Sequence, residues 1–265
     1  MSGDEIAERL GWSGSKISRI ETYRTGVKTA DLRRLLGLYE VDDARSRQLL
    51  ALATRPETRG WWSGYASTFP AEYLAYIALE DSAASLRTWS PELIHGLLQT
   101  EDYAAAALAA VFGTPPRIPP GEIQRRIEAR LRRQALLTRS PPGDLRFILD
   151  EATLRHGFGT AATMRAQLAQ LDQLSQRPGI SIRVLPFAGP HPIGPGGFAI
   201  LSFEPVYGMR LNDVVYVEHL TGQSLLEDEQ DTYEYRQAFR KLTEAALDPG
   251  ESKALIAGVA RSHWS

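Results

Sequence analysis

The chain contains no cysteine among its 265 residues. This absence excludes disulfide bonds, thiolate metal sites and cysteine nucleophiles, and it fits a reducing compartment. No apolar run approaches the roughly 20 residues that a membrane-spanning helix needs. The N-terminus also lacks the apolar core of a secretory signal. We therefore expect a cytoplasmic protein.

The sequence also lacks a recognisable catalytic or metal-binding motif. It has no HExxH pattern, and Ser63 does not lie in the G-x-S-x-G turn of a serine hydrolase. The "GPGG" stretch lacks the GKS/T ending of a phosphate-binding loop. The histidines are scattered without paired ligand spacing: His95, His156, His191, His219 and His263. We therefore expect no enzymatic activity, no cofactor and no bound metal.

One enzymatic alternative remains open. Asp150, Glu151 and Glu218 could serve as the carboxylates of a cleft that acts on a small molecule. Acid–base catalysis requires a defined separation between such groups, and the sequence does not give that separation.

The chain has no strong excess of charge of one sign, since its formal net charge is −2. This value argues against a wholly basic nucleic-acid coat protein. The segment from Trp12 to Arg34 differs from the average, because its basic residues outnumber its acidic ones. The basic residues are Lys16, Arg19, Arg24, Lys28, Arg33 and Arg34, and the acidic ones are Glu21 and Asp31.

Length and composition predict two folded domains. The chain is longer than the roughly 100–150 residues of a typical domain, and its hydrophobic content of 43% is that of a globular protein. Pro56 lies in a short linker, 55–60, where the composition changes. We predict an N-terminal domain over 1–55 and a C-terminal domain over 56–265.

The N-terminal domain is predicted to consist of short helices. Ile6, Ala7 and Leu10 have helical spacing, with a start at Ser2 or Gly3 and a stop at Gly11. The next helices are predicted to begin at residues that can cap a helix or open its first turn: Ser13, Thr29, and Asp42 or Asp43.

The C-terminal domain is predicted to be α+β with a small sheet, so the whole chain is mainly α with an α+β part. Helices are expected at 70–86, 99–112, 120–138 and 160–176, and again at 226–247 and 251–260. Runs rich in β-branched residues predict strands at "LRFILDE", "ISIRVLP", "GFAILSFE" and "VVYVEHL". The proline- and glycine-rich stretch 189–197 is predicted to be irregular.

Two further features of the C-terminal part have alternative interpretations. The basic helix 125–139 is predicted to be a solvated face with Ile127, Leu131 and Leu136 turned inward, or else a surface for DNA or an acidic partner. The aromatic residues after the linker are predicted to pack against the domain, or else to line a pocket. They are Trp61, Trp62, Tyr65, Tyr73 and Tyr76.

A helix, a turn with glycine, and a second helix led by small polar and basic residues are typical of a helix-turn-helix. In such modules the first residues of the second helix meet base edges in the major groove. This layout places Ser15, Lys16 and Arg19 outward, and Ile17 and Ile20 inward. The alternative is a solvated helix face with no ligand.

The stretch "IAERLGWSGSKISRIE" is similar to the Cro/C1-type (XRE) helix-turn-helix family of transcriptional regulators. Residues of this chain occupy the positions of the family pattern as follows: Ala7, Gly11, Trp12, Ser13, Ile17, Ile20 and Glu21. The resemblance implies that Gly14, Ser15 and Arg19 lie at bases, and Ser13 and Lys16 at phosphates. Arg19 is the strongest candidate, because a guanidinium can bind guanine bidentately. The predicted DNA-binding residues are Ser13, Gly14, Ser15, Lys16, Ser18, Arg19, Arg24 and Lys28.

The rest of the chain resembles the C-terminal domain of antitoxin-like regulators from actinobacteria, especially streptomycetes. The stretches that carry this resemblance are "YIALEDSAASLRTWSPELIHGLLQTEDYAAAAL", "RVLPF" and "VVYVEHLTG". The resemblance implies an antitoxin-like regulator with a small partner protein encoded nearby. Because a single helix-turn-helix contacts few phosphates, we predict a homodimer on a near-palindromic DNA operator. The C-terminal domain would then serve dimerisation, ligand sensing or partner binding. The alternative is a module that sequesters a small toxin-like or regulatory partner and binds DNA only for autoregulation.

The sequence departs from the Cro/C1 pattern in two places. Family members begin with another helix, which would cover Ile6, Leu10 and Ile20. We therefore expect either an upstream translation start or a marginal module with exposed apolar surface. Tyr23 also stands near the position where the family prefers glycine, so we expect an unusual backbone angle or a reshaped turn there.

Overall fold

Two units make up the chain in the computed structural model, Met1–Ala78 and Leu79–Ser265. The structure describes residues 1–21, 27–53, 60–112, 118–192, 196–205, 208, 210–219 and 222–265, without the side chains of Leu52 and Phe112. The predicted linker lies outside these residues except for Gly60, and so does Tyr23. The predicted fold class is confirmed, because a helical N-terminal region is followed by an α+β domain.

The described residues of the first unit form four helices and a 3-10 helix, Trp61–Tyr65, followed by a helix that ends in the second unit. The helices are α1 Gly3–Leu10, α2 Gly14–Glu21, α3 Thr29–Leu38, α4 Asp43–Ala53 and α5 Ala71–Ser82.

Local sequence signals fix the ends of these helices. Ser2 and Glu5 form a reciprocal capping box at the start of α1, and Gly11 ends α1 in the left-handed region at φ 61°. Asp42 Oδ1 accepts the Arg45 backbone N–H at 2.9 Å before α4. Helix α3 begins at Thr29 as predicted, but Thr29 is its first residue and does not cap it. The residue before it, Lys28, occupies the cap position and makes no side-chain cap bond.

The core of the helical module forms where α1, α2 and α3 meet. Ile6, Ala7, Leu10 and Ile17 are buried together. Ile6 and Leu10 keep only 3% and 8% of their surface exposed, so the expected exposure of these two residues is not seen. Ile20 is only half-buried.

The second unit contains one mixed sheet. The strands are β1 Ser85–Ser90, β2 Asp144–Asp150, β3 Ile180–Leu185, β4 Phe198–Ser202, β5 Val214–His219 and β6 Gly222–Leu226. Their order is β3-β2-β1-β4-β5-β6. The first three strands are parallel, and β4, β5 and β6 continue the sheet with antiparallel pairs. Strands β2 to β5 lie where the sequence predicts them, whereas β1 and β6 were missed.

Helices connect the parallel strands and cover the sheet. They are α6 Glu101–Phe112, α7 Pro120–Arg133, α8 Glu151–Arg155, α9 Ala161–Leu174, α10 Glu229–Ala245 and α11 Pro249–Ser262, with 3-10 helices at Gly96–Leu98 and Gln134–Thr138. The predicted helix 70–86 ends early, at Ser82, and β1 follows it. Phe239 and Leu242 of α10 pack on one sheet face, against a cluster that includes Trp89, Ile148 and Phe198.

A buried ion pair joins α5 to α7 within the second unit. Arg133 donates from two nitrogens to the two carboxylate oxygens of Glu80, both at 2.7 Å. The two side chains are only 5% and 2% exposed. The prediction that helix 125–139 presents a solvated basic face is therefore wrong for Arg133, although Ile127 and Leu136 are buried as expected.

Buried amides hold the segment that follows β1. Gln99 Nε2 donates to the Ile94 carbonyl at 2.7 Å, and Arg130 donates to Gln99 Oε1 at 2.8 Å. Gln167, fully buried on α9, accepts from the Thr100 backbone N–H at 2.7 Å and donates to the Leu98 carbonyl at 2.8 Å. These bonds satisfy backbone groups of an irregular segment inside the domain.

Candidate nucleic-acid interface

Helix α2 is built as predicted at its start. Ser13 Oγ accepts the backbone N–H of Lys16 at 3.2 Å, and the Ser13 carbonyl accepts from Lys16 and Ile17 at 2.9 and 3.3 Å. A side-chain oxygen in this position satisfies one of the backbone donors that a helix leaves unpaired at its N-terminus. Ile17 is buried and fixes the other side of the helix on α1.

One face of α2 is exposed and carries small polar groups and a guanidinium. The Arg19 Nε donates to the Ser15 carbonyl at 3.3 Å. In the described part of the chain, the two terminal nitrogens of Arg19 have no hydrogen-bond partner, so its fork is available for a guanine edge. The exposed predicted residues on this face are Ser13, Gly14, Ser15, Ser18 and Arg19.

Lys16 does not point outward as predicted. Its Nζ lies 2.8 Å from Asp31 Oδ1 and 3.7 Å from the centre of the Trp12 ring. The side chain is 33% exposed and that of Asp31 is 19% exposed. Because Asp31 lies in the first turn of α3, Lys16 ties α2 to α3.

Trp12 is the centre of this contact and was missed as a site residue. The Arg34 guanidinium lies 5.2 Å from the Trp12 ring centre, and it donates to the carbonyl of Leu10. Two cations therefore lie over one half-buried indole, an arrangement favoured by the negative face of the ring. The i, i+4 spacing of Trp12 and Lys16 was a signal in the sequence for the contact between the Lys16 ammonium and the Trp12 ring.

The remaining predicted residues lie beside α2 in the sequence. Lys28 is exposed directly before α3. Arg24 lies outside the described residues. The described part of the interface thus combines the exposed face of α2 with Lys28.

The aromatic residues after the linker contact one another in series. Trp61 lies 5.9 Å from Trp62 and 5.8 Å from Tyr65, measured between ring centres. Further pairs in the series are Tyr65–Phe69 at 6.3 Å, Phe69–Tyr73 at 4.7 Å and Tyr73–Tyr76 at 6.1 Å. These contacts join the rings to one another, and both interpretations of the segment stay predictions.

The carboxylates of the enzymatic alternative have separate partners. Asp150 Oδ2 lies 2.8 Å from His191 Nε2, a pair that the sequence did not indicate, and Asp150 Oδ1 accepts the backbone N–H of Ala152. Glu151 Oε1 accepts from Arg155 at 2.7 and 2.9 Å. Glu218 is exposed at the end of β5. The Asp150–His191 contact holds the chain after β3 against the end of β2.

A capped, exposed helix packed on two neighbouring helices, followed by an α+β unit, defines a helix-turn-helix protein with a second domain. The family described as "Helix-turn-helix domain" matches residues 1–49, and this match supports a DNA-binding regulator. The chain belongs to the family described as "Domain of unknown function (DUF5753)", which matches residues 73–258.

No curated protein matches the chain. Within the described ranges, no helix combines the length and the apolar character that crossing a membrane requires.

Proposed function

We propose that the protein is a sequence-specific transcriptional regulator of the Cro/C1 (XRE) type, in which α2 enters the major groove. The observation that carries this proposal is the exposed face of α2 with its available Arg19 fork. Ser13 orders the start of the helix, and the buried Ile17 fixes its orientation. In this arrangement Arg19 and Ser15 read bases, and Ser13 and Lys28 contact phosphates.

The regulator acts as a homodimer in this proposal. A single short module contacts few phosphates, whereas two modules on half-sites about one helical turn apart bind far more tightly. The second unit supplies dimerisation, ligand sensing or binding of a small partner protein, as in an antitoxin-like regulator. It performs no catalysis, and the protein works in the cytoplasm.

The test of base readout is Arg19→Ala. We expect its affinity for the operator to fall by about 10- to 100-fold, because a bidentate contact to guanine contributes roughly 1–3 kcal/mol. The operator is selected first by genome-wide DNA capture with the full-length protein. Fluorescence anisotropy then measures Kd for the operator and for an unrelated duplex.

Arg47→Ala is the matched control for Arg19→Ala, since Arg47 is an exposed arginine on α4. If Arg19→Ala leaves the Kd for the operator unchanged, base readout by Arg19 is excluded. Binding that does not weaken with salt would contradict the whole proposal, because phosphate contacts release counterions.

Lys16→Met tests whether Lys16 acts as a phosphate contact or as a tie between helices. A phosphate contact would lower the slope of log K against log salt by about 1 when the charge is removed. Because Asp31 already holds Lys16 at 2.8 Å, we expect the slope to stay nearly constant. We expect the free energy of unfolding to fall by up to about 1 kcal/mol, the size of a partly exposed ion pair.

The comparison variant for Lys16→Met is Lys28→Met, which removes an exposed lysine and is expected to lower the salt slope. A full unit of slope lost in Lys16→Met, with unchanged stability, would show that Lys16 leaves Asp31 and binds phosphate.

A further inference from the structure

Three arginines lie in a row across the parallel strands of the sheet. Arg87 on β1 stands directly opposite Arg146 on β2, and Arg183 on β3 stands opposite Ile148, two residues further along β2. Residues in register on neighbouring strands point to the same face, and so do residues two apart on one strand. Ile148 packs against α10, so the arginine row lies on the sheet face that α10 partly covers.

The charge of this row is only partly balanced. Asp144 Oδ1 accepts from Arg146 Nε at 2.8 Å, and both side chains are largely exposed. Arg183 donates to the Thr243 carbonyl at 3.3 Å in the last turn of α10. Among the described residues, no carboxylate lies within salt-bridge distance of Arg87 or Arg183, although both are half-buried.

This arrangement costs stability. Like charges directly opposite each other on neighbouring strands destabilise a sheet, and a half-buried cation without a counterion loses hydration. Among the described residues, the Arg87 side chain has no hydrogen bond or ion pair that would compensate for this cost. A bound anion would supply the missing negative charge.

A groove lies beside the row, between α10 and strands β2 and β3, with a volume of about 380 Å³. Arg146, Arg183, Ser181 and Thr243 contribute polar atoms to its lining, and Ile148 and Phe239 contribute apolar surface. Two guanidinium groups can bind phosphate or carboxylate oxygens with paired N–H donors. The volume is within the range of small-molecule sites.

We propose that this groove binds a small anionic molecule that carries a phosphate or carboxylate group. Arg146 and Arg183 hold the anion, the Ser181 hydroxyl donates a further hydrogen bond to it, and Arg87 adds positive potential from the neighbouring strand. Asp144 also lines the groove, and its carboxylate competes with the anion for Arg146. The apolar side accommodates the organic part of the ligand.

The test uses isothermal titration calorimetry of the full chain with inorganic pyrophosphate as the probe, at low salt and without DNA. We expect a Kd of about 1 mM or lower. Arg183→Gln and Arg146→Gln should each weaken binding at least about tenfold, as expected for a charge-assisted bidentate contact. Asp144→Asn should tighten binding, because it removes the competing carboxylate. Arg183→Lys should give an intermediate Kd, because it keeps the charge and loses the fork.

Arg210→Gln is the matched control, since Arg210 is exposed and does not line the groove. Equal weakening by Arg210→Gln, or no heat of binding with the unmodified chain, would overturn the proposal. It would also be overturned if the groove variants weakened binding to a non-operator duplex and left pyrophosphate binding unchanged. Because pyrophosphate binding is measured without DNA, its outcome does not depend on whether the protein is a transcriptional regulator.

Discussion

Arg133→Met is expected to lower the free energy of unfolding by about 3–5 kcal/mol, because the buried Glu80 carboxylate loses its ion pair with Arg133. Both side chains are almost fully buried and joined by two bonds of 2.7 Å. Urea unfolding followed by tryptophan fluorescence measures the change. Arg132→Met, an exposed position on the same helix, should change stability by about 0.5 kcal/mol or less.

A double variant separates two contributions to the loss of stability: the loss of the ion pair and the loss of side-chain packing. Glu80→Met/Arg133→Met removes both charges, and buried ion pairs replaced by apolar residues are often neutral or stabilising. We therefore expect the double variant to be more stable than Arg133→Met alone. A double variant that is less stable than the single one would show that the packing of Glu80 matters more than its charge.

The second large effect is a loss of stability in mild acid that depends on His95. The pKa of His95 is lowered from 6.5 to about 3, mainly by burial; Glu80 acts in the opposite direction, and the charges of Arg133 and Arg130 add to the lowering. His95 is half-buried as a whole residue. Its ring centre lies 5.4 Å from that of Phe147, and its Nδ1 accepts the Leu97 backbone N–H at 3.3 Å.

The sign follows from proton binding. Below pH 6.5 the unfolded chain protonates this histidine, whereas the folded chain does so only near pH 3. The stabilisation is therefore complete above pH 6.5 and is lost as the pH falls from 6.5 toward 3, by at most about 1.4 kcal/mol per pH unit. Between about pH 7.5 and pH 5, His95→Gln should lose about 1–2 kcal/mol less stability than the unmodified chain.

Urea unfolding at the two pH values measures this difference. The carboxylates that titrate in the same range are shared by both chains, so their contribution cancels in the comparison. His219→Gln is the control, because His219 is exposed on β5. If His95→Gln loses as much stability as the unmodified chain, then His95 is protonated in the folded state in mild acid.

The helix-turn-helix was predictable because its signals are local. The cap at Ser13 acts on a backbone group three residues away, and Gly11 permits the left-handed end of α1 within a single residue. Strands β2 and β3 were also predictable, since β2 contains a short apolar run and β3 has β-branched residues at every second position.

What the sequence did not reveal depends on distant partners. Four of the six residues of strand β1, "SLRTWS", are polar, and Thr88 and Ser90 are buried in its place between β2 and β4. Arg133 looked like one more solvated arginine, because Glu80 lies 53 residues away. The ion pair of Lys16 was missed for the same reason, since Asp31 lies 15 residues further along the chain. The arginine row became visible only when the register placed Arg87 beside Arg146.

The central position of β1 also sets an order of events during synthesis. Ser85 pairs with Asp144 on one side and with Ser202 on the other. Both edges of β1 therefore stay unpaired until the ribosome has synthesised β2 and β4. Until then, these unpaired edges are open to pairing with other chains. The first helices pack only against helices nearby in the sequence. The helix-turn-helix can therefore fold while the second unit is still being synthesised.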